Sequence, residues 1–249
     1  YKYSGLLYEL NDAAKTFFAK ELAGSDEAKK YLAERGLQNE TIEEFELGWA
    51  PNQREALSLH LLNNGYAPDD IIRAGLAFKT ERGLQLDRFR GRIMFPIHNH
   101  LGKVVGFTGR VLPQFDDGTM GKYVNSPETP VFNKSRLLYG FWKSKNFVRE
   151  QNFVFLVEGQ MDFLMSWQAG IKNVAASSGT ALTTDHLRTL HRLTDQLVLN
   201  FDNDEAGWVA GERAIDLAEA NDFNVRVLVL KDAKDAAEAV QSDPAAFKK

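Results

Sequence analysis

The chain has 249 residues, 44% of them hydrophobic, with 30 basic and 34 acidic side chains, a net charge of −4 and no cysteine. That length supports one large core or two small ones, and the lack of cysteine excludes disulfides, thiol redox chemistry and any cysteine-ligated zinc or iron–sulfur centre. No run approaches the ~18 apolar residues of a membrane span, and Tyr1 opens the chain without Met or a signal-peptide pattern, which reads as a soluble fragment cut at its start.

Apolar residues recur at helical spacing from Leu6 to Phe18, and again from Asp26 to Arg35 until Gly36 ends the pattern, so the opening third reads as largely helical. Short apolar runs, Ile93 to Ile97 and Val104 to Phe107, then flank Asn99-His100-Leu101-Gly102 and predict a hairpin. Pro113 to Met120 reads as a polar loop. Lys143 to Gln151, charged and aperiodic, is the expected linker, which places a boundary near residue 146. Beyond it the pattern alternates: strand 153–157, helix 161–169, strand 173–176, helix 185–193, strand 197–201, helix 206–220, strand 225–230. The fold class expected is therefore α/β: a mixed α+β N-terminal subdomain over 1–145, then an α/β subdomain over 146–249 with a mainly parallel sheet and right-handed crossovers.

Charge is distributed unevenly. Residues 1–81 carry 9 basic and 14 acidic side chains (−5), residues 82–145 carry 11 and 4 (+7), and residues 146–249 carry 10 and 16 (−6). In the last segment Glu158 follows the first strand, Asp202 and Asp204 the third, and Asp232 and Asp235 the fourth. Ligands of parallel sheets gather at the carboxyl ends of strands, so chain order delivers acids from three strands to one edge. Oxygen-only coordination suits magnesium or manganese, and a basic surface beside an acidic metal pocket suits a polyanion track leading to phosphoryl chemistry. Plainer roles are open too: Asp204 suits the N-cap of the helix starting near Glu205, and Asp162 suits a first-turn acid favoured by the helix dipole.

The segment Glu158-Gly159-Gln160-Met161-Asp162 and the segment Phe201-Asp202-Asn203-Asp204-Glu205-Ala206-Gly207 resemble the two signatures of the Toprim fold, which topoisomerases and some nucleases share. Asp87-Arg88-Phe89-Arg90-Gly91-Arg92-Ile93-Met94-Phe95-Pro96-Ile97, then Gly106-Phe107-Thr108-Gly109-Arg110, then Lys122-Tyr123-Val124-Asn125-Ser126-Pro127-Glu128-Thr129 resemble, in order, the motifs of bacterial DnaG-type primase catalytic cores. With Leu7 to Asn11 and Tyr31 to Leu37, the resemblance covers nearly the whole chain.

That resemblance implies a Toprim-type second subdomain and synthesis of short RNA primers on single-stranded DNA from ribonucleoside triphosphates, using Mg2+ or Mn2+. By the same resemblance Asp202, Asp204 and Asp235 hold metal, Glu158 completes the set or takes the proton of the attacking hydroxyl, and Asp162 and Asp232 support them. Arg35, Arg88, Arg90, Arg110, Lys122, Tyr123, Asn125 and Lys134 are assigned to template, nascent RNA or triphosphate. The segment holds no zinc ribbon, contact with the replicative helicase is expected only through a region outside it, no membrane is involved, and the expected location is the cytoplasm at the replication fork. Two departures stand out. Asn203 occupies a position where the family usually has glycine, a residue type that tolerates the left-handed region. Lys231-Asp232-Ala233 and Lys234-Asp235-Ala236 are duplicates; we align Asp235, since a helix then begins at Ala236, and the family's second acid falls on Ala237.

Other residues have structural readings. Arg92 and Lys103 suit a solvated strand face, and His98 and His100 suit exposed hairpin positions, with no acid or third histidine nearby in sequence. Tyr139, Phe141 and Trp142 are expected to pack a domain junction, while Tyr123 could stack on a base. Ser177-Ser178-Gly179-Thr180 suits either a phosphate-binding loop or a tight strand-to-helix turn. The competing functions are a non-catalytic single-stranded-DNA-binding Toprim remnant and a Toprim nuclease or topoisomerase fragment.

Overall fold

The computed structural model describes residues 2–119, 121–230 and 232–247, so Met120 of the expected polar loop and Lys231 of the duplicated motif lie outside the described residues. The chain divides into two units, Tyr1–Asn133 and Lys134–Lys249.

In the first unit the apolar stripe read from the sequence forms α1 (Lys2–Gly24), which buries Leu7, Leu10, Ala14, Phe17 and Phe18. Ser25 ends it and caps α2 (Asp26–Glu34), its hydroxyl accepting from the Ala28 amide at 3.3 Å. The chain continues through α3 (Asn39–Glu44), β1 (Gly48–Ala50), α4 (Ala56–Asn63), α5 (Pro68–Arg73), β2 (Ala77–Lys79), β3 (Gln85–Asp87), β4 (Arg92–His98), β5 (Val104–Val111) and β6 (Tyr123–Asn125). An antiparallel sheet in the order β1-β4-β5-β6 carries the motif segments, and β2 and β3 form a separate hairpin. Every residue of β4 is buried, because α1 covers the sheet and sets Phe18 edge-on to Phe107 at 5.4 Å. The expected hairpin forms around Asn99, whose amide donates to the Lys103 carbonyl at 2.9 Å.

The second unit begins with a helix where a linker was expected. α6 (Phe141–Gln151) is charged on most of its surface, but Phe141, Ser144 and Val148 line one buried face. Three positions suffice to bury a short helix and are too few to register as a period in the sequence. Gly140 starts it at φ 73°, where a Cβ would stand 1.9 Å from the Phe163 ring. Tyr139 bridges to Ala176 and meets Phe163 edge-on at 5.2 Å, so Tyr139 and Phe141 pack inside this unit.

The remaining elements keep the expected order: β7 (Val154–Val157), α7 (Gln160–Gln168), β8 (Val174–Ala176), α8 (Thr184–His191), β9 (Gln196–Leu199), α9 (Glu205–Glu219), β10 (Asn224–Val227) and α10 (Ala236–Ser242); a short helix that was not expected, α11 (Pro244–Phe247), follows. Among the described residues these strands pair in parallel, in the order β10-β9-β7-β8. β7 and β9, the strands followed by Glu158 and Asp202, are therefore central neighbours. Val154, Leu156, Ala175, Leu197 and Leu199 form the sheet's share of the core, with Leu187, Leu190, Ala214 and Ala218 on the helices.

Candidate active site

The two strand ends are tied together by the acids themselves. Glu158 Oε1, just past β7, accepts from the Asp202 amide, just past β9, at 3.0 Å. Asn200, buried between them, donates its backbone amide to Leu156 O at 2.9 Å and its side-chain amide to Leu228 O at 3.0 Å, locking β7, β9 and the segment after β10 in register. Asn200 belongs to no motif; a polar residue at the end of an apolar run is its only signal in the sequence.

Asp204 and Asp235 do cap helices. Asp204 Oδ1 accepts from the Gly207 amide at 2.9 Å at the start of α9, and Asp235 Oδ1 accepts from the Glu238 amide at 2.8 Å at the start of α10. Each cap uses one carboxylate oxygen, so capping and ligation are compatible uses of the same side chain. Gly207 is obligatory because a Cβ there would lie 2.0 Å from the Asp202 carbonyl oxygen. Asn203, for which a left-handed backbone was allowed, is absent from the positive-φ residues; the glycine-like geometry is not needed there. Its amide donates instead to the Lys234 carbonyl at 2.8 Å.

Asp162 is buried at 8% exposure, and its two oxygens accept from the Gly159 amide at 3.2 Å and the Ala237 amide at 3.0 Å. It thus joins the first turns of α7 and α10. Burial, and then the nearby Asp235 charge, push its carboxyl up to about 7. Ala237, where the expected alignment puts the family's second acid, contributes its amide to this link. Asp232 is exposed, whereas Asp235 is the N-cap of α10, which starts at Ala236 as expected.

The electrostatics of the edge follow from crowded carboxylates. Burial raises Glu158, assisted by Asp202 and Asp204 and opposed by the Asp202 amide and Lys234. Burial also raises Asp202, assisted by Asp235 and Asp204 and opposed by Lys234. Lys234 Nζ lies 3.8 Å from Asp202 Oδ2 and 3.9 Å from Asp204 Oδ2. Among the described residues no three His, Cys, Asp or Glu side chains converge into a ready cation cage. The donor chemistry nonetheless fits a hard divalent ion: Glu158, Asp202, Asp204 and Asp235 offer oxygen only, and their mutual repulsion is relieved by positive charge.

The basic motifs sort into buried anchors and more exposed cations. Asp87 is buried and accepts from the Leu57 and Ser58 amides at 2.7 and 2.9 Å, anchoring the start of α4. Arg92, expected on a solvated face, is buried; its Nη1 donates to the carbonyls of Gly109, Gly121 and Lys122, because β6 and the loop before it close over that side of β4. His98, expected to be exposed, is also buried, with Nε2 at 3.0 Å from Glu46 Oε2 while Lys15 holds the other Glu46 oxygen at 2.7 Å. Its partner comes from the distant α3–β1 turn and is invisible in the local sequence.

Arg88, Arg110, Tyr123 and Asn125 come together around β5 and β6. Arg88 Nε donates to the Asn125 carbonyl at 3.0 Å, and Thr108 Oγ1 to Asn125 Oδ1 at 2.5 Å. Arg110 Nε donates to the Tyr31 hydroxyl at 2.8 Å, and its guanidinium lies 5.0 Å from the Tyr123 ring centroid. Tyr123 is 41% exposed and Lys122 is exposed; Arg35 and Arg90 are half-buried in the same unit. Lys134 is half-buried in the second unit. The Ser177 and Ser178 amides are engaged by the Val157 and Glu158 carbonyls at 3.2 and 2.9 Å, which realises the tight-turn reading of that loop.

A mixed α+β unit carrying the arginine motifs, followed by a parallel sheet with carboxylates at its carboxyl edge, defines a Toprim-type nucleic-acid enzyme class. Residues 17–145 match the family model described as the DNA primase catalytic core, N-terminal domain, and residues 155–240 match a Toprim-like model. The DNA primases of Deinococcus radiodurans and Clostridium acetobutylicum are 42% and 38% identical over 96% and 95% of this chain. A DNA primase domain from Pseudomonas aeruginosa superposes with a TM-score of 0.87 at 37% identity, covering 95% of this chain and 75% of that one. A DnaG primase catalytic domain bound to single-stranded DNA superposes with a TM-score of 0.87 at 35% identity, covering 99% and 80%. The chain belongs to the bacterial DnaG-type DNA primase family and has its catalytic-core fold. It spans 41% and 39% of the length of the two curated primases. Metal dependence is general in this Toprim family.

Proposed function

We propose that this chain is the part of a bacterial primase that synthesises short RNA primers from ribonucleoside triphosphates on single-stranded DNA, at the replication fork in the cytoplasm. The observation that carries the reading is the edge where Glu158, Asp202, Asp204 and Asp235 follow three strands and two of them cap the helices that leave it. Asp202, Asp204 and Asp235 hold Mg2+ or Mn2+, with Glu158 completing the set or accepting the proton of the attacking 3′ hydroxyl. Bound there, the divalent ion supplies positive charge to the attacking, equatorial and leaving oxygens of nucleotidyl transfer.

The chain's own groups position the reactants. Arg88 and Arg110, each held at Nε, present oriented guanidinium forks to phosphates of template, nascent RNA or triphosphate. Arg35, Arg90, Lys122 and Lys134 add positive charge to the polyanion path, Tyr123 offers an exposed stacking face, and Asn125 orients Arg88 through its carbonyl. Asp162 keeps the start of α10, and with it Asp235, in place.

The test is synthesis of labelled RNA on single-stranded DNA with Mg2+ or Mn2+, comparing the chain with Asp202→Ala and Glu158→Ala. Metal-dependent product that both substitutions reduce by at least ~100-fold is expected, since charge-stabilising groups carry several kcal/mol of the barrier. DNA binding without RNA synthesis, in a chain whose longer parent does make primers, would assign initiation to the rest of the protein. Silence from both would favour a binding remnant, and strand cleavage would favour a nuclease.

A further inference from the structure

We propose that Lys234 is a positioning residue of the carboxylate edge: its ammonium is the built-in counter-cation of Asp202 and Asp204, and a divalent ion must displace it to bind. This rests on the reading that these acids hold metal. Lys234 Nζ faces Asp202 Oδ2 at 3.8 Å and Asp204 Oδ2 at 3.9 Å. On Asp204 the other oxygen, Oδ1, is committed to capping α9, so lysine and metal compete for the same free oxygen.

The two N···O separations are too long for good hydrogen bonds, so the ammonium is held by the field of the acids and not by directional bonding. Its side chain is 59% exposed and free to swing away. The backbone beneath it is fixed independently: the Lys234 carbonyl accepts from the Asn203 amide at 2.8 Å, and the Lys234 amide donates to Glu238 Oε2 at 2.5 Å. Displacement therefore needs only rotamer changes, and removal of the amine leaves the loop in place.

Two consequences follow from Coulomb's law. Without metal, the ammonium reduces repulsion among acids that would otherwise strain the fold. With metal, the same charge is a like-charge neighbour until it leaves, so it lowers affinity. The displaced amine remains beside the site as a point charge suited to phosphate.

The experiment is a Mn2+ titration of the whole chain at low ionic strength without nucleotide, reading free ion by electron paramagnetic resonance, for wild type, Lys234→Gln, Lys234→Arg and Asp202→Asn. Expected is tightening of roughly five- to tenfold for Lys234→Gln, near wild-type affinity for Lys234→Arg, and loss of the tight site in Asp202→Asn. The melting temperature of Lys234→Gln should fall in chelator and recover with Mn2+. Equal or weaker Mn2+ binding by Lys234→Gln, with the site lost in Asp202→Asn, overturns the counter-cation role alone. Unchanged binding in Asp202→Asn overturns the metal reading, and this proposal with it.

Discussion

Asp162 shows how one buried carboxylate can join two helices and titrate far from its usual range. In the folded chain its carboxyl is pushed up to about 7 by burial and Asp235, whereas an unfolded aspartate titrates near ~3.9. Between those values the folded state binds more protons, so its contribution to stability is present below the lower value and is lost as pH rises to the upper one. In chelator, Asp162→Asn removes this titration, so the difference in melting temperature between variant and wild type should move in the variant's favour from pH 4 to pH 7. A constant difference across that range would show that the charge does not titrate in the window. The residue's sequence position suggested a first-turn acid, which it is. Its 75-residue reach to the Ala237 amide could not be read from periodicity.

At the scale of elements, helix starts organise the site. α9 and α10 begin on Asp204 and Asp235, α7 begins on Gly159 with Asp162 three residues on, and α4 begins on Asp87 from a different strand. The Asp87 cap explains why an acid opens an otherwise basic motif. Asp87→Ala leaves the buried Leu57 and Ser58 amides without that acceptor and should cost about 1–2 kcal/mol in urea unfolding. A cost near zero would mean that water replaces it. Helix and strand order is legible from β7 to α10 because alternating apolar runs and capping acids are local signals. α6 was missed because its buried face has only three positions inside a charged segment.

Over the whole molecule, charge is divided along the chain, with +7 over residues 82–145 and −6 over residues 146–249. Binding to single-stranded DNA should therefore weaken as salt rises, with a log–log slope of about −0.7 for each phosphate neutralised. Arg110→Ala should make the slope shallower by about one contact. A flat dependence from low to physiological ionic strength would remove the basic surface from the binding path. By itself the sequence determined the two-part organisation, the alternating α/β order, the placement of acids after three strands and the family motifs, because each depends on residues near one another in the chain. Only the tertiary structure decided that β7 and β9 are neighbours, that Arg92 and His98 are buried, that Asp162 reaches the Ala237 amide, and that Lys234 faces the acids. Burial, strand adjacency and electrostatic pairing depend on residues brought together from distant parts of the chain, and no local pattern encodes which of them will meet.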